Sequence, residues 1–185
     1  MTNKFKHANI IESTEYKLIN EFYNSRVAKR STVPLINHIN EGMEYLLQTE
    51  CSDQTIKAFA IHPLIQNDSD LFSSWSNNKF KYIDSDVLML AFEYRNIANQ
   101  YLSHRSINIL EDIALSPIAE VNNMLRADKI QNYKDFIIYH SETHSRSNIL
   151  DDYFNNWLDR LQITDTEFSK WFTQLQQPLT ILETY

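Results

Sequence analysis

The sequence predicts an all-α fold, and three observations carry that prediction. The 185 residues contain one glycine, Gly42, and only four prolines. Tight hairpins turn on Asn-Gly or Asp-Gly, and the chain has neither. Apolar residues instead recur at three- and four-residue spacing through most of the chain, the pattern of amphipathic helices. The composition, 43% hydrophobic and 22% charged, is that of a globular chain rather than a disordered one. Its length suits one domain spanning residues 1–185.

Taken in order, the first helix is expected over 12–27, with Leu18, Ile19, Phe22, Tyr23 and Val27 on one stripe and Ser13 at its start. A polar connection, Lys29 to Pro34, leads to a helix from Pro34 to about Thr49 with Leu35, Ile39, Met43, Leu46 and Leu47 inward. Gly42 lies inside it, where glycine costs roughly 1 kcal/mol against alanine, and a close helix crossing accounts for that. Ser52-Asp53 caps a third helix over 54–62, with Ile56, Phe59 and Ala60 inward and Ala58 beside them, and Pro63 interrupts it. Residues 66–81 read as mixed and polar. Helices follow over 84–103, from Pro117 through Ile137, over 148–161 and over 165–175, about seven in all. Trp75, Trp157 and Trp171 are expected in the core or in helix-pair interfaces. Phe168, Trp171, Phe172 and Leu175 form a late apolar face that either caps the bundle or joins two copies.

Glycine scarcity also excludes function classes. There is no dinucleotide-binding glycine loop, no Walker A loop, no nucleophile elbow and no EF-hand. Cys51 is the only cysteine, so neither an internal disulfide nor a thiolate zinc site is expected. Residues 1–9 lack an apolar signal core and no apolar run reaches about 18 residues, which predicts a cytoplasmic protein with no membrane association. The formal net charge of -7 argues against general nucleic-acid binding.

Two of the six histidines stand out. His38 lies on an otherwise apolar helix, and His62 ends the run Ala58-Phe59-Ala60-Ile61. Neutral imidazole donates to first-row divalent metals, and a carboxylate helps to balance the charge. Asp128, between Leu125, Ala127 and Ile130, is half-buried by pattern and wants a cation or strong donors. His38, His62 and Asp128 are therefore the candidate metal ligands.

With these residues in view, the chain resembles the HD hydrolase domain of Rel/SpoT enzymes and its small stand-alone homologues. Lys29-Arg30-Ser31-Thr32-Val33-Pro34-Leu35-Ile36-Asn37-His38 resembles the family's basic pair, serine, proline and first metal histidine. The segment from Ala58 to Asp68 is similar to its apolar run, His-Asp doublet and acidic pair. Met124 to Asn132 resembles its leucine-alanine-aspartate-basic-leucine-x-asparagine helix, and Tyr153 to Trp157 the closing helix of the small members. The resemblance covers about residues 25–160. It implies an HD-like helical bundle in which manganese, or another divalent metal, activates water to remove the 3′-pyrophosphate of (p)ppGpp. It further implies a phosphorylated purine nucleotide held by Lys29, Arg30, Ser31 and Asn132.

The chain departs from that family at definite places. The doublet is His62-Pro63, the acidic pair is Gln66-Asn67, and the glycine after the serine is Thr32. An amide neither accepts a proton as a carboxylate does nor offsets metal charge. The expectation is a nucleotide-binding relative with weakened hydrolysis, Gln66 and Asn67 standing at the catalytic positions without their chemistry. Asp68 and Asp70 are the nearest replacements. The alternatives are a catalytically silent regulator or inhibitor with a nucleotide, protein or second copy as partner, and a different chemistry on the same scaffold. The polar groups Glu93, Arg95, Asn96 and Asn99, and the i, i+4 pair His140 and His144, are the features that would carry the latter.

Overall fold

Ser13 starts the first helix whose bounds lie wholly among the described residues: its side chain accepts a hydrogen bond from the Tyr16 amide at 3.1 Å, and α1 runs Thr14–Tyr23. In this computed structural model, residues 10–29 and 31–182 are described. The helix stops before the expected Val27, because Asn24 takes a positive φ of 47°, which asparagine tolerates better than most residues. The Arg26 guanidinium then donates to the Phe22 carbonyl at 2.6 Å and satisfies an end that would otherwise lack a partner. Val27 leaves the apolar stripe, 48% exposed, and forms a single β-bridge with Pro34. Pro34 therefore precedes the next helix rather than sitting in its first turn.

α2 runs Ile36–Gln48 and α3 runs Asp53–Ile61, the latter capped by Ser52 as expected. Pro63 does not push His62 into extended backbone. His62 stays helical at φ -54°, ψ -33°, and Pro63 opens a new short helix, α4, Pro63–Gln66. Proline is tolerated there because the first turn has no use for its missing N–H. The hydrogen-bond ladder is interrupted at the His62–Pro63 step while the helical conformation of His62 is not.

The segment read as mixed and polar contains a helix, α5, Asp68–Ser76. Asn67 caps it, accepting from the Asp70 amide at 2.9 Å, and Asp68 and Asp70 suit the positive end of its dipole. Only Ser74 of this helix is buried, so there is no apolar stripe for periodicity to detect. Trp75 is accordingly 64% exposed rather than in the core. α6, Ser85–Ala98, ends five residues before the expected Ser103. α7 (Ala119–Tyr139), α8 (Ser147–Arg160) and α9 (Asp165–Gln174) follow the predicted segments closely. Among the described residues there are thus nine α-helices, not seven, and no strand. None of these helices is long and apolar enough to cross a membrane.

α7 is the axis of the molecule. It packs against α2, α3, α6, α8 and α9. From Ala127 to Gln131 five consecutive residues are buried, so the helix is enclosed on all sides at mid-length. The late apolar face caps this bundle. Trp171 meets Tyr45 with ring centroids 4.7 Å apart, and Phe168 meets Tyr133 at 4.9 Å.

Gly42 marks the crossing of α2 and α3. A Cβ built there would stand 2.2 Å from Phe59 Cε1 and Cζ, and Phe59 is fully buried. Gly42→Ala should therefore lower stability by about 1–3 kcal/mol, the usual cost of overpacking, read as a fall in thermal midpoint. Combining it with Phe59→Leu should recover part of the loss. Additive effects of the two substitutions would argue against this contact.

Candidate metal centre

Three separate elements deliver the predicted ligands to one point. His38 lies in the first turn of α2, His62 at the α3–α4 joint and Asp128 midway along α7. One ligand atom from each falls within a 4.8 Å set. His38 Nε2 is 3.3 Å from His62 Nε2 and 3.5 Å from Asp128 Oδ1. Asp128 is not half-buried but almost wholly enclosed, at 4% exposure, and His62 likewise at 3%.

The tautomers follow from the partners of the other ring nitrogens. His62 Nδ1 lies 2.6 Å from the Phe59 carbonyl oxygen, and His38 Nδ1 lies 2.6 Å from Gln131 Oε1. Both neighbours are acceptors, so both Nδ1 atoms carry the proton. The two Nε2 atoms then present lone pairs towards each other and towards a carboxylate oxygen. The two Nε2 lone pairs face each other at 3.3 Å with no proton between them, which is unfavourable in a buried site, and a cation relieves it. The two-imidazole, one-carboxylate set fits a divalent transition metal.

Charge in the site is balanced by neighbours on α7 and α6. Lys129 Nζ lies 2.7 Å from Asp128 Oδ2, and the Asn132 amide donates to Oδ1 at 2.9 Å. Burial alone would raise the Asp128 carboxyl, yet Lys129 and the two histidines hold it down at about 2. Burial, reinforced by the facing His38, pushes the His62 imidazole down to about 3. Burial opposes the charge of Lys129, while Asp128 and Tyr153 raise its ammonium. Its Nζ donates to the Tyr153 hydroxyl at 3.2 Å and lies over the Trp157 ring. Burial raises the Tyr94 phenol, and the nearby Asp128 charge adds to the shift.

The centre opens into a cleft of about 760 Å³. Ser31, Asn132, Gln66 and Asn67 line it; Lys29 is exposed and is not among its lining residues. Arg30 lies outside the described residues. Thr32 has φ 59°, a conformation that disfavours a β-branched residue. Gln66 Nε2 donates to Asn99 Oδ1 at 3.2 Å, and Asn67 caps α5. Asp68 is ion-paired with Arg95, while Asp70 lines the cleft. Arg95 and Asn99 both donate to the Gln66 carbonyl, and Glu93 accepts from Ser116 at 2.8 Å. Arg95 and Asn99 thus brace the α4–α5 turn, while Glu93 ties α6 to the segment before α7. His140 and His144 line the cleft, but no third ligand joins them among the described residues. Sequence reasoning missed Gln131 and the ion-pair partner Lys129. Helical spacing from Asp128 to Gln131 was the available signal.

Lys129→Met should cost about 3–5 kcal/mol by leaving a buried carboxylate without its cation, seen as a lower urea midpoint. Asp128→Asn in the same chain should restore part of that. The metal-free chain should also lose stability as pH falls from about 6.5, where the unfolded His62 takes a proton that the folded imidazole refuses down to about 3. Below 3.8 Asp128 adds to the same trend, because its folded carboxyl titrates only near 2. Thermal midpoints of chelator-treated protein should fall across this range, and less steeply in His62→Gln.

No family model, curated protein or solved structure matches this chain, so the case for its chemistry is made by the convergence of His38, His62 and Asp128.

Proposed function

We propose that the chain is a metal-binding relative of the Rel/SpoT HD hydrolases that takes a phosphorylated purine nucleotide in its cleft and hydrolyses it weakly. The observation that carries this reading is the pair of imidazole lone pairs and the carboxylate oxygen converging beside a cleft of about 760 Å³, a volume within the range of small-molecule sites. The positive φ of Thr32 supports the likeness, because the family has glycine there.

In this reading His38, His62 and Asp128 hold a divalent metal. When bound, such a metal lowers the pKa of its water and makes hydroxide available near neutral pH. Lys129 and Asn132 orient the Asp128 carboxylate, and the Phe59 carbonyl orients His62. Ser31 and Arg26, both lining the cleft, offer donors for phosphate oxygens, and Lys29 follows the lining residue Ala28 in sequence with a further positive charge. Gln66 and Asn67 hydrogen-bond within the fold and accept no proton from a nucleophilic water. That favours weak turnover, and it equally favours the second reading, a nucleotide-binding regulator without turnover. Asp70 is the carboxylate on that side of the cleft available for proton transfer.

Metal analysis of purified protein, with His38→Ala and Asp128→Ala as controls, should find about one transition metal per chain in the parent and little in either variant. Calorimetry against guanine and adenine nucleotides should show binding. Incubation of (p)ppGpp with Mn²⁺, Zn²⁺ or Co²⁺ should show slow hydrolysis; binding without turnover would select the regulator. A metal-free protein that binds no nucleotide would sink both readings and leave a protein partner or a second copy as the ligand.

A further inference from the structure

We infer that Gln131 is the positioning residue of the centre: it sets the tautomer of His38 and so aims the Nε2 lone pair at the metal position. This rests on the metal-binding reading above. The geometry of one buried side chain carries it. Gln131 is 1% exposed, so its amide must find its partners within the protein. Its Nε2 is 2.8 Å from Asp135 Oδ2 and 3.1 Å from Glu41 Oε2. Lys134, 3% exposed, holds both carboxylates, with Nζ 3.1 Å from Glu41 Oε2 and 2.5 Å from Asp135 Oδ1.

The amide has one orientation in these surroundings. Flipped, it would set its oxygen against two carboxylate oxygens, acceptor against acceptor. As it stands, both N–H bonds point to the carboxylates and Oε1 points to His38. At 2.6 Å from that oxygen, His38 Nδ1 must donate, which leaves Nε2 as the acceptor.

A purely structural role would produce the opposite arrangement. With the proton on Nε2, His38 could donate to Asp128 Oδ1, 3.5 Å away, or to His62 Nε2, 3.3 Å away, and the buried acceptors would be satisfied within the protein. Gln131 opposes that outcome and keeps two lone pairs facing each other. The cluster of Glu41, Lys134, Asp135 and Gln131 therefore has the form of the outer partners that orient metal-binding imidazoles. Glu41, Gln131 and Lys134 are buried, and together with Asp135 at the cleft edge they assemble behind one ring.

The test is imidazole ¹⁵N NMR on chelator-treated protein, together with Co²⁺ titration followed by its visible spectrum. The parent should show His38 protonated at Nδ1. Gln131→Met, similar in length but without a strong acceptor, should shift His38 towards the Nε2–H form. It should also weaken Co²⁺ binding about 10–100-fold, the usual effect of losing such a partner. A parent His38 protonated at Nε2 overturns the inference without recourse to any variant, as does an unchanged tautomer in folded Gln131→Met. A parent with the Nδ1–H form, lost in the variant, but with no affinity for Co²⁺ supports the tautomer control and overturns the metal reading instead.

Discussion

The structure depends on burying one carboxylate. Asp128 sits midway along an enclosed helix at 4% exposure, where an unpaired charge is too costly to tolerate. Its neighbours are arranged around that demand. Lys129 takes one oxygen, Asn132 donates to the other, and two imidazoles stand beside it. To bring those imidazoles in, α2 and the α3–α4 joint must reach α7 at one level. The bundle is organised around a polar point within an apolar core.

That requirement explains features that look unrelated along the chain. α2 and α3 can approach because Gly42 leaves room for the Phe59 ring. Phe59 then serves twice: its ring packs 4.8 Å from that of His62, and its carbonyl holds the His62 Nδ1 proton. Pro63 interrupts the hydrogen-bond ladder right after His62 without breaking helical conformation, which leaves the imidazole at a joint rather than on a continuous face. A chain almost without glycine can build such a centre because its polar atoms come from helix side chains, not from loop amides.

The same economy shows in the turn between α4 and α5. Gln66 is tied to Asn99 and its carbonyl receives Arg95 and Asn99, while Asn67 caps α5. These amides are structural parts of the turn. An amide both donates and accepts, so it can bridge elements where a buried carboxylate would need a cation. The cluster of His38, His62 and Asp128 carries a single carboxylate with a lysine against it, a combination that lowers the net negative charge it could offer a metal.

Much of this protein was legible in its residues. One glycine, four prolines and helical periodicity determined the all-α class, and polar residues within apolar helices pointed to His38, His62 and Asp128. Caps such as Ser13 and Ser52 act over three residues and could be read locally. What only the tertiary structure decided is non-local. α5 has no apolar stripe, so periodicity carried no trace of it. The end of α6 depends on a partner elsewhere, Asn99 reaching back to Gln66. Gln131 is an ordinary polar residue by pattern, and its meaning comes from Glu41, Asp135 and His38 closing around it. Residue type determines what a group can donate or accept; folding decides which partners it meets, and therefore the charge and proton position it must hold.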